Sequence, residues 1–211
     1  MTNFIPIFPL TIVVYPGEEL NLHIFEERYK QLIVECYTEK KPFGIPAVIN
    51  NQVMEYGTIV EVTEIVEMYE DGKMDIRTKG IKVFRILEVI KQVPNKLFSG
   101  AIVTYLDNNN KSNKKLMLRI MSSIAGLHKL LNITKHFKKP DEELTAYDIA
   151  HHAGMNIEEE YELLQLMRED QRQEYLKRHL AKVLPILADM DALKEKVKLN
   201  GHFRDLKSFD F

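Results

Sequence analysis

Glu26 and Arg28 are the first residues whose types could support acid–base chemistry. Two positions apart on a helix, they point to different faces. They are therefore predicted to find separate partners and tie the helix to barrel backbone or charge, not to form a catalytic pair. His151 and His152 are adjacent, which on a helix separates their rings by about a hundred degrees. With one cysteine and no His-Glu-x-x-His spacing, no metal site is expected. Ser99, Ser112, Ser122, Ser123 and Ser208 are scattered, and none sits in a Gly-x-Ser-x-Gly elbow. No glycine precedes a Gly-Lys-Ser/Thr at phosphate-cradling spacing, so an NTPase would lack its cradle. The expectation is a protein that is not an enzyme and needs no cofactor.

Binding chemistry is better represented. Met54, Tyr56, Met68 and Tyr69 fall near predicted strand ends or turns. Flexible thioethers and amphipathic phenols suit a surface that accepts varied apolar segments. The 111–139 stretch carries eight Lys/Arg and no acid, which raises RNA as an alternative ligand. Only Phe137 offers a stacking ring there, and a solvated helix face explains the charge equally well. The formal net charge of −2 gives no global case for nucleic acid or an anionic membrane. Single Cys36 excludes an internal disulfide framework and fits a reducing cytoplasm. Its place on an apolar helical stripe makes it a core thiol. The first 19 residues hold no cation and three prolines interrupt their apolar run, so neither a signal peptide nor a membrane span is expected.

Several elements must position these residues. Ile5–Leu10, Phe43–Ile49, Gly57–Tyr69, Lys73–Lys79, Ile81–Val89 and Leu97–Leu106 read as short strands. Asp71-Gly72 marks a hairpin, and Gly80 breaks its returning strand. Gly100 reads as a bulge or a close backbone approach. Pro16-Gly17 turns the chain toward a helix predicted over 23–40, where His23 fixes the start. Phe25, Tyr29, Leu32, Ile33 and Cys36 form its buried stripe, and Pro42 prevents its continuation. Many short strands with one early helix suggest a small barrel. Residues 107–113 read as a polar linker. Beyond it the period becomes 3.6: Leu116, Ile120, Ile124, Leu127 and Leu131 line one helix. Pro140-Asp-Glu-Glu starts a second that stops at Gly154, Asn156 caps a third, and a fourth begins near Arg168 with Pro185 inside it. The reading is α+β: a barrel over 1–106, a linker over 107–113 and an α-helical bundle over 114–211.

The opening string carries more than architecture. Ile5-Pro-Ile-Phe-Pro-Leu10, then Tyr15-Pro-Gly-Glu18 and Leu22-His-Ile-Phe-Glu-Glu-Arg-Tyr29, resembles the N-terminal domain of Lon (La) ATP-dependent proteases. Gly57-Thr58, Asp71-Gly72 and Gly80-x-x-x-Phe84-Arg85-Ile86 are similar to that family's Gly-Thr, Asp-Gly and Gly-x-x-Arg-Phe. Here Phe84-Arg85 reverses the usual order and shifts it by one residue. Tyr147–Ala150, Ile157–Leu166 and Arg172–Leu187 match the family's helical subdomain more loosely, so the likeness spans about residues 4 to 190. The resemblance implies a PUA-like barrel followed by a helical bundle, in a stand-alone copy without the ATPase and peptidase. It implies a non-catalytic module binding unfolded or apolar polypeptide segments, in support of proteolysis or quality control, with a protease or chaperone as partner. Self-association stays open. Pro16, Gly17, Phe25, Glu26, Arg28 and Tyr29 read as its structural motif.

Overall fold

The computed structural model describes residues 2–135 and 137–202; Ser208 and the end of the predicted helical subdomain lie outside the described residues. Six strands form one antiparallel sheet: β1 (Thr2–Pro6), β2 (Glu19–Ile24), β3 (Phe43–Ile49), β4 (Gln52–Met68), β5 (Met74–Ile90) and β6 (Gly100–Tyr105). The order is β1-β6-β5-β4-β3, with β2 joined to the first half of β5. The predicted hairpin holds. Gly72 adopts φ 76°, and the Tyr69 amide donates to the Lys73 carbonyl at 2.9 Å.

Gly57 and Gly80 do not bound strands as predicted. Each lies inside a strand of 17 residues. A Cβ on Gly80 would lie 2.2 Å from the Tyr15 carbonyl oxygen, and one on Gly57 2.4 Å from that of Ile45. Gly80 admits the crossing Tyr15 backbone, and Gly57 the close approach of its paired strand β3. Register shifts at Ile59/Val60, Val62/Glu64 and Ile65/Glu67 add the local twist that curls so long a hairpin.

The two ends of the strand order, β1 and β3, are not joined by a ladder. After β1 the chain makes only isolated parallel bridges, Ile7 to Gly44 and Leu10 to Ala47. The Phe8 amide donates to Gly44 and the Val48 amide to Leu10. The curled sheet is therefore open as a hydrogen-bonded ladder.

The main correction concerns residues 19–24. Predicted to lead into a helix from His23, they form β2 instead. Leu20, Leu22 and Ile24 alternate with Glu19, Asn21 and His23, and the first set faces the core. Helix α1 (Glu27–Glu39) starts later, with Glu26 extended at φ −79°, ψ 134°. Tyr29, Leu32, Ile33 and Cys36 are buried as predicted. Phe25 precedes the helix and is 59% exposed, so it is no part of the stripe. Burial pushes the Cys36 thiol up to about 12, which suits a core thiol and not a nucleophile.

The second half holds α2 (Lys114–Leu130), α3 (Ala146–Ile149) running into a 3₁₀ turn over 150–152, α4 (Ile157–Leu164) and α5 (Glu169–His202). Asn113 caps α2 and Asn156 caps α4 through their side-chain oxygens. Pro140-Asp-Glu-Glu forms a turn, not a helix start; α3 begins six residues later behind a Thr145–Asp148 capping box. Leu131 falls just beyond α2 and is exposed. The two halves pack through Tyr15, Ala47, Ile49 and Val83 against Tyr147, Tyr161 and Leu164 in a shared apolar cluster.

Residues 107–113 do not hang free. The Arg172 guanidinium donates to the Asn108 and Asn110 side chains, and Gln173 bonds the Asn113 amide and the Ser112 hydroxyl. The polarity that reads as a linker serves a buried cation.

Candidate functional site

The four binding candidates separate into two pairs at opposite ends of β4. From Tyr56 to Met68 the strand runs about 40 Å at 3.3 Å per residue. Met54 and Tyr56 sit at the sheet–helix junction. The Tyr56 amide donates to the Tyr161 hydroxyl at 3.0 Å, and the two rings meet edge to face with centroids 6.3 Å apart. Both candidates are partly buried against the helical cluster.

Met68 and Tyr69 lie at the hairpin end, on opposite faces of the ladder. Met68 pairs with Met74 on the side that carries Ile24, and it is 59% exposed. Tyr69 joins His23, Phe25 and Asp75 on the other side. The His23 ring stacks on Phe25 with centroids 6.2 Å apart and meets the edge of Tyr69 at 6.0 Å. Asp75 holds the set together: one carboxylate oxygen lies 2.6 Å from His23 Nδ1, and the other accepts the Tyr69 hydroxyl at 2.7 Å. The cross-strand pair His23–Asp75 fixes this spacing.

Electrostatics make the cluster a scaffold. His23 and then Tyr69 hold the Asp75 carboxyl below its ordinary range, while the bond to Asp75 pushes the Tyr69 phenol up to about 12. The phenol keeps its proton and the carboxylate its charge, so neither is poised for proton transfer near neutral pH. What remains presented on this face is the apolar ring surface of Phe25 and Tyr69.

Other candidate chemistry resolves into structure. Glu26 and Arg28 pair with each other at 2.7 Å, contrary to the prediction of separate partners. The argument from helix faces fails because Glu26 stands outside the helix. Arg28 also lies over the Tyr29 ring at 4.5 Å. Pro16-Gly17 forms the predicted turn: Gly17 has φ 88° and its amide donates to the Gly80 carbonyl. Ser99 donates to the Lys91 carbonyl and Ser112 accepts from Gln173. Among the described residues no cluster of His, Cys, Asp or Glu could hold a metal ion. A cleft of about 660 Å³ between α4 and α5 is rimmed by carboxylates. Its Glu162, Asp170 and Glu174 are engaged by Tyr175, Arg168 and Lys177. In the basic stretch, Lys138 pairs with Glu19 and Lys139 with Asp148.

Sequence reasoning missed the role of His23 and Phe25 in this surface. The signal was present: Leu20-Asn-Leu-His-Ile24 alternates with period two, and a strand there puts His23 beside Asp75. His151 has a role that its sequence neighbours do not signal. It bridges Glu160 at 2.8 Å and Glu18 at 3.3 Å, linking the helical half to the Pro16-Gly17 turn.

A curled antiparallel sheet with one early helix, followed by packed helices, defines the Lon N-terminal domain fold. It superposes with a TM-score of 0.65 on the crystal structure of a Lon N-terminal domain protein from Xanthomonas campestris, at 21% identity, over 83% of this chain and 98% of that one. The N-terminal domain of the Mycobacterium avium complex Lon protease matches with a TM-score of 0.63 at 12% identity, over 86% and 100%. The chain belongs to the ATP-dependent protease La (LON) substrate-binding domain family, whose model matches residues 5–182. The match is to the substrate-binding domain and not to the ATPase or peptidase domains. Among the described residues no helix is long and apolar enough to cross a membrane.

Proposed function

We propose that this domain is a non-catalytic recognition module that binds unfolded or apolar polypeptide segments in the cytoplasm and supports their proteolysis or quality control. The curled sheet is read as a PUA-like barrel carrying the binding surface at the end of its long hairpin. One observation carries the reading: at the hairpin end of the sheet Phe25 is 59% and Tyr69 38% exposed on one face, and Met68 is 59% exposed on the other. Rings held in place by the His23–Asp75 pair bind with little loss of side-chain entropy. Exposed apolar surface of this kind marks an interaction site. The partners implied are client segments and a protease or chaperone that receives them. No observation favours RNA over polypeptide.

The test is binding of a permanently unfolded, carboxymethylated model protein by fluorescence anisotropy. Saturable binding in the micromolar range is expected, weakened at least tenfold by Phe25→Ser with Tyr69→Ser. Absence of binding at high micromolar concentration would falsify the reading.

A further inference from the structure

β2 leaves one edge without a backbone partner among the described residues. The Glu18 carbonyl accepts the Gly80 amide at 2.8 Å, which sets the alternation of the ladder. Leu20–Thr78, Leu22–Ile76 and Ile24–Met74 are then the pairs that exchange hydrogen bonds. The amides and carbonyls of Glu19, Asn21 and His23 point away from β5. The other side of β5 agrees: the Lys73 carbonyl accepts the Tyr69 amide, so odd-numbered residues near the hairpin face β4 and even-numbered ones face β2.

This edge lacks the usual protection. Edge strands are commonly blunted by lysine, proline or a bulge. β1 carries Pro6, and its continuation is bonded to β3. β2 has neither proline nor lysine, and its six residues pair with β5 without a register shift. Leu20 and Leu22 are only half-buried, so an apolar step lies along the open flank. Of the outward side chains, Glu19 is paired with Lys138 at 2.7 Å, and the His23 ring is held by Asp75 at 2.6 Å. The edge thus carries no unpaired charge of its own at Glu19 and runs directly into Phe25.

We propose that β2 takes an added strand from the client: an extended, largely uncharged segment with alternating apolar side chains. It would pair with the outward backbone groups of Glu19, Asn21 and His23, lay apolar side chains beside Leu20 and Leu22, and reach the Phe25 ring at its end. This rests on the recognition role proposed above and names its mode. Three outward residues offer up to about six backbone hydrogen bonds over roughly 20 Å. Main-chain pairing gives affinity with little demand on sequence, which a domain that reads varied substrates requires.

Amide hydrogen exchange of the full chain, with and without the carboxymethylated protein, tests the mode. Bound client should slow exchange at Glu19, Asn21 and His23 at least tenfold and leave Leu20, Leu22 and Ile24 nearly unchanged. Binding without that alternation overturns strand addition and leaves recognition standing; absence of binding overturns both. Alternating protection that grows with the protein's own concentration, without client, makes the occupant a second copy and overturns the proposal. Asn21→Pro removes an outward amide at an edge position where proline is tolerated, and should weaken binding at least tenfold. Should that variant unfold, a client peptide N-methylated at alternate residues replaces it and should bind at least tenfold more weakly than its unmethylated form. Unchanged affinity overturns the proposal.

Discussion

Arg172 and Glu169 form an ion pair at 2.9 Å with both side chains fully buried. The guanidinium also lies 4.1 Å from the centre of the Tyr147 ring and donates to Asn108, Asn110 and the Leu166 carbonyl. Glu169 accepts the Ala146 amide at 2.7 Å. One buried pair therefore joins the chain leaving the sheet, the start of α3 and the start of α5.

Removing one partner strands the other. Burial pushes the Glu169 carboxyl up, and the Ala146 amide and Arg172 oppose that. Arg172→Met should cost about 3–5 kcal/mol, because an uncompensated charge stays in the core. Arg172→Met with Glu169→Gln should recover part of the loss. Urea unfolding of the three proteins measures it, and equal stability of single and double variants would refute the coupling.

His151 gives the stability a pH dependence. Burial alone would lower its pKa, but Glu160 and Glu18 outweigh that and raise it to about 10. The unfolded imidazole titrates near 6.5, so the folded state binds the extra proton between those values. The stabilisation is full below about pH 6.5 and is lost as pH rises through 10. Tm should fall over that interval more steeply in the parent than in His151→Gln. Parallel Tm profiles would remove the role assigned to the bridge.

Gly80→Ala tests the crossing of the opening turn over β5. Its Cβ would meet the Tyr15 carbonyl oxygen at 2.2 Å, and backbone cannot rotate aside as a side chain can. A loss of about 1–3 kcal/mol is expected, as for other overpacked sites. Thermal unfolding reads it, with Gly17→Ala as a comparison in which positive φ, not contact, is the source of strain.

Much of this fold was legible because local chemistry and tertiary context agree. Asp71-Gly72 turns a hairpin, Asn156 caps a helix, and Tyr29, Leu32, Ile33 and Cys36 face inward, each for a reason contained within a few residues. The failures share a cause. Gly57 and Gly80 lie where other backbone, β3 and the Tyr15 turn, comes too close for a Cβ, and spacing along the chain does not distinguish that from a strand end. Within residues 107–113, Asn108 and Asn110 also serve as acceptors for Arg172, some 60 residues on, a role that polarity alone does not reveal. The candidate surface is half legible: Tyr69 stands beside a clear hairpin signal, while His23 and Phe25 read as the start of a helix. Tyr56 shares Tyr69's chemistry and near-turn position, yet burial gives it a different role.

That contrast between two tyrosines and a phenylalanine yields the last prediction. Phe25 contacts solvent over more than half its surface and closes no core, so Phe25→Ala should change stability by no more than about 0.5 kcal/mol. If its ring receives client segments, the same change should weaken binding of the carboxymethylated protein several-fold. Tyr56 lies against Tyr161, and the Arg85 guanidinium stands 5.8 Å from its ring centre. Tyr56→Ala opens the sheet–helix junction and should cost about 2 kcal/mol or more, with client affinity unchanged at temperatures where the variant remains folded. Measured together, Tm and affinity separate the two positions. The opposite assignment, with affinity following Tyr56 and stability following Phe25, would move the binding surface to the junction.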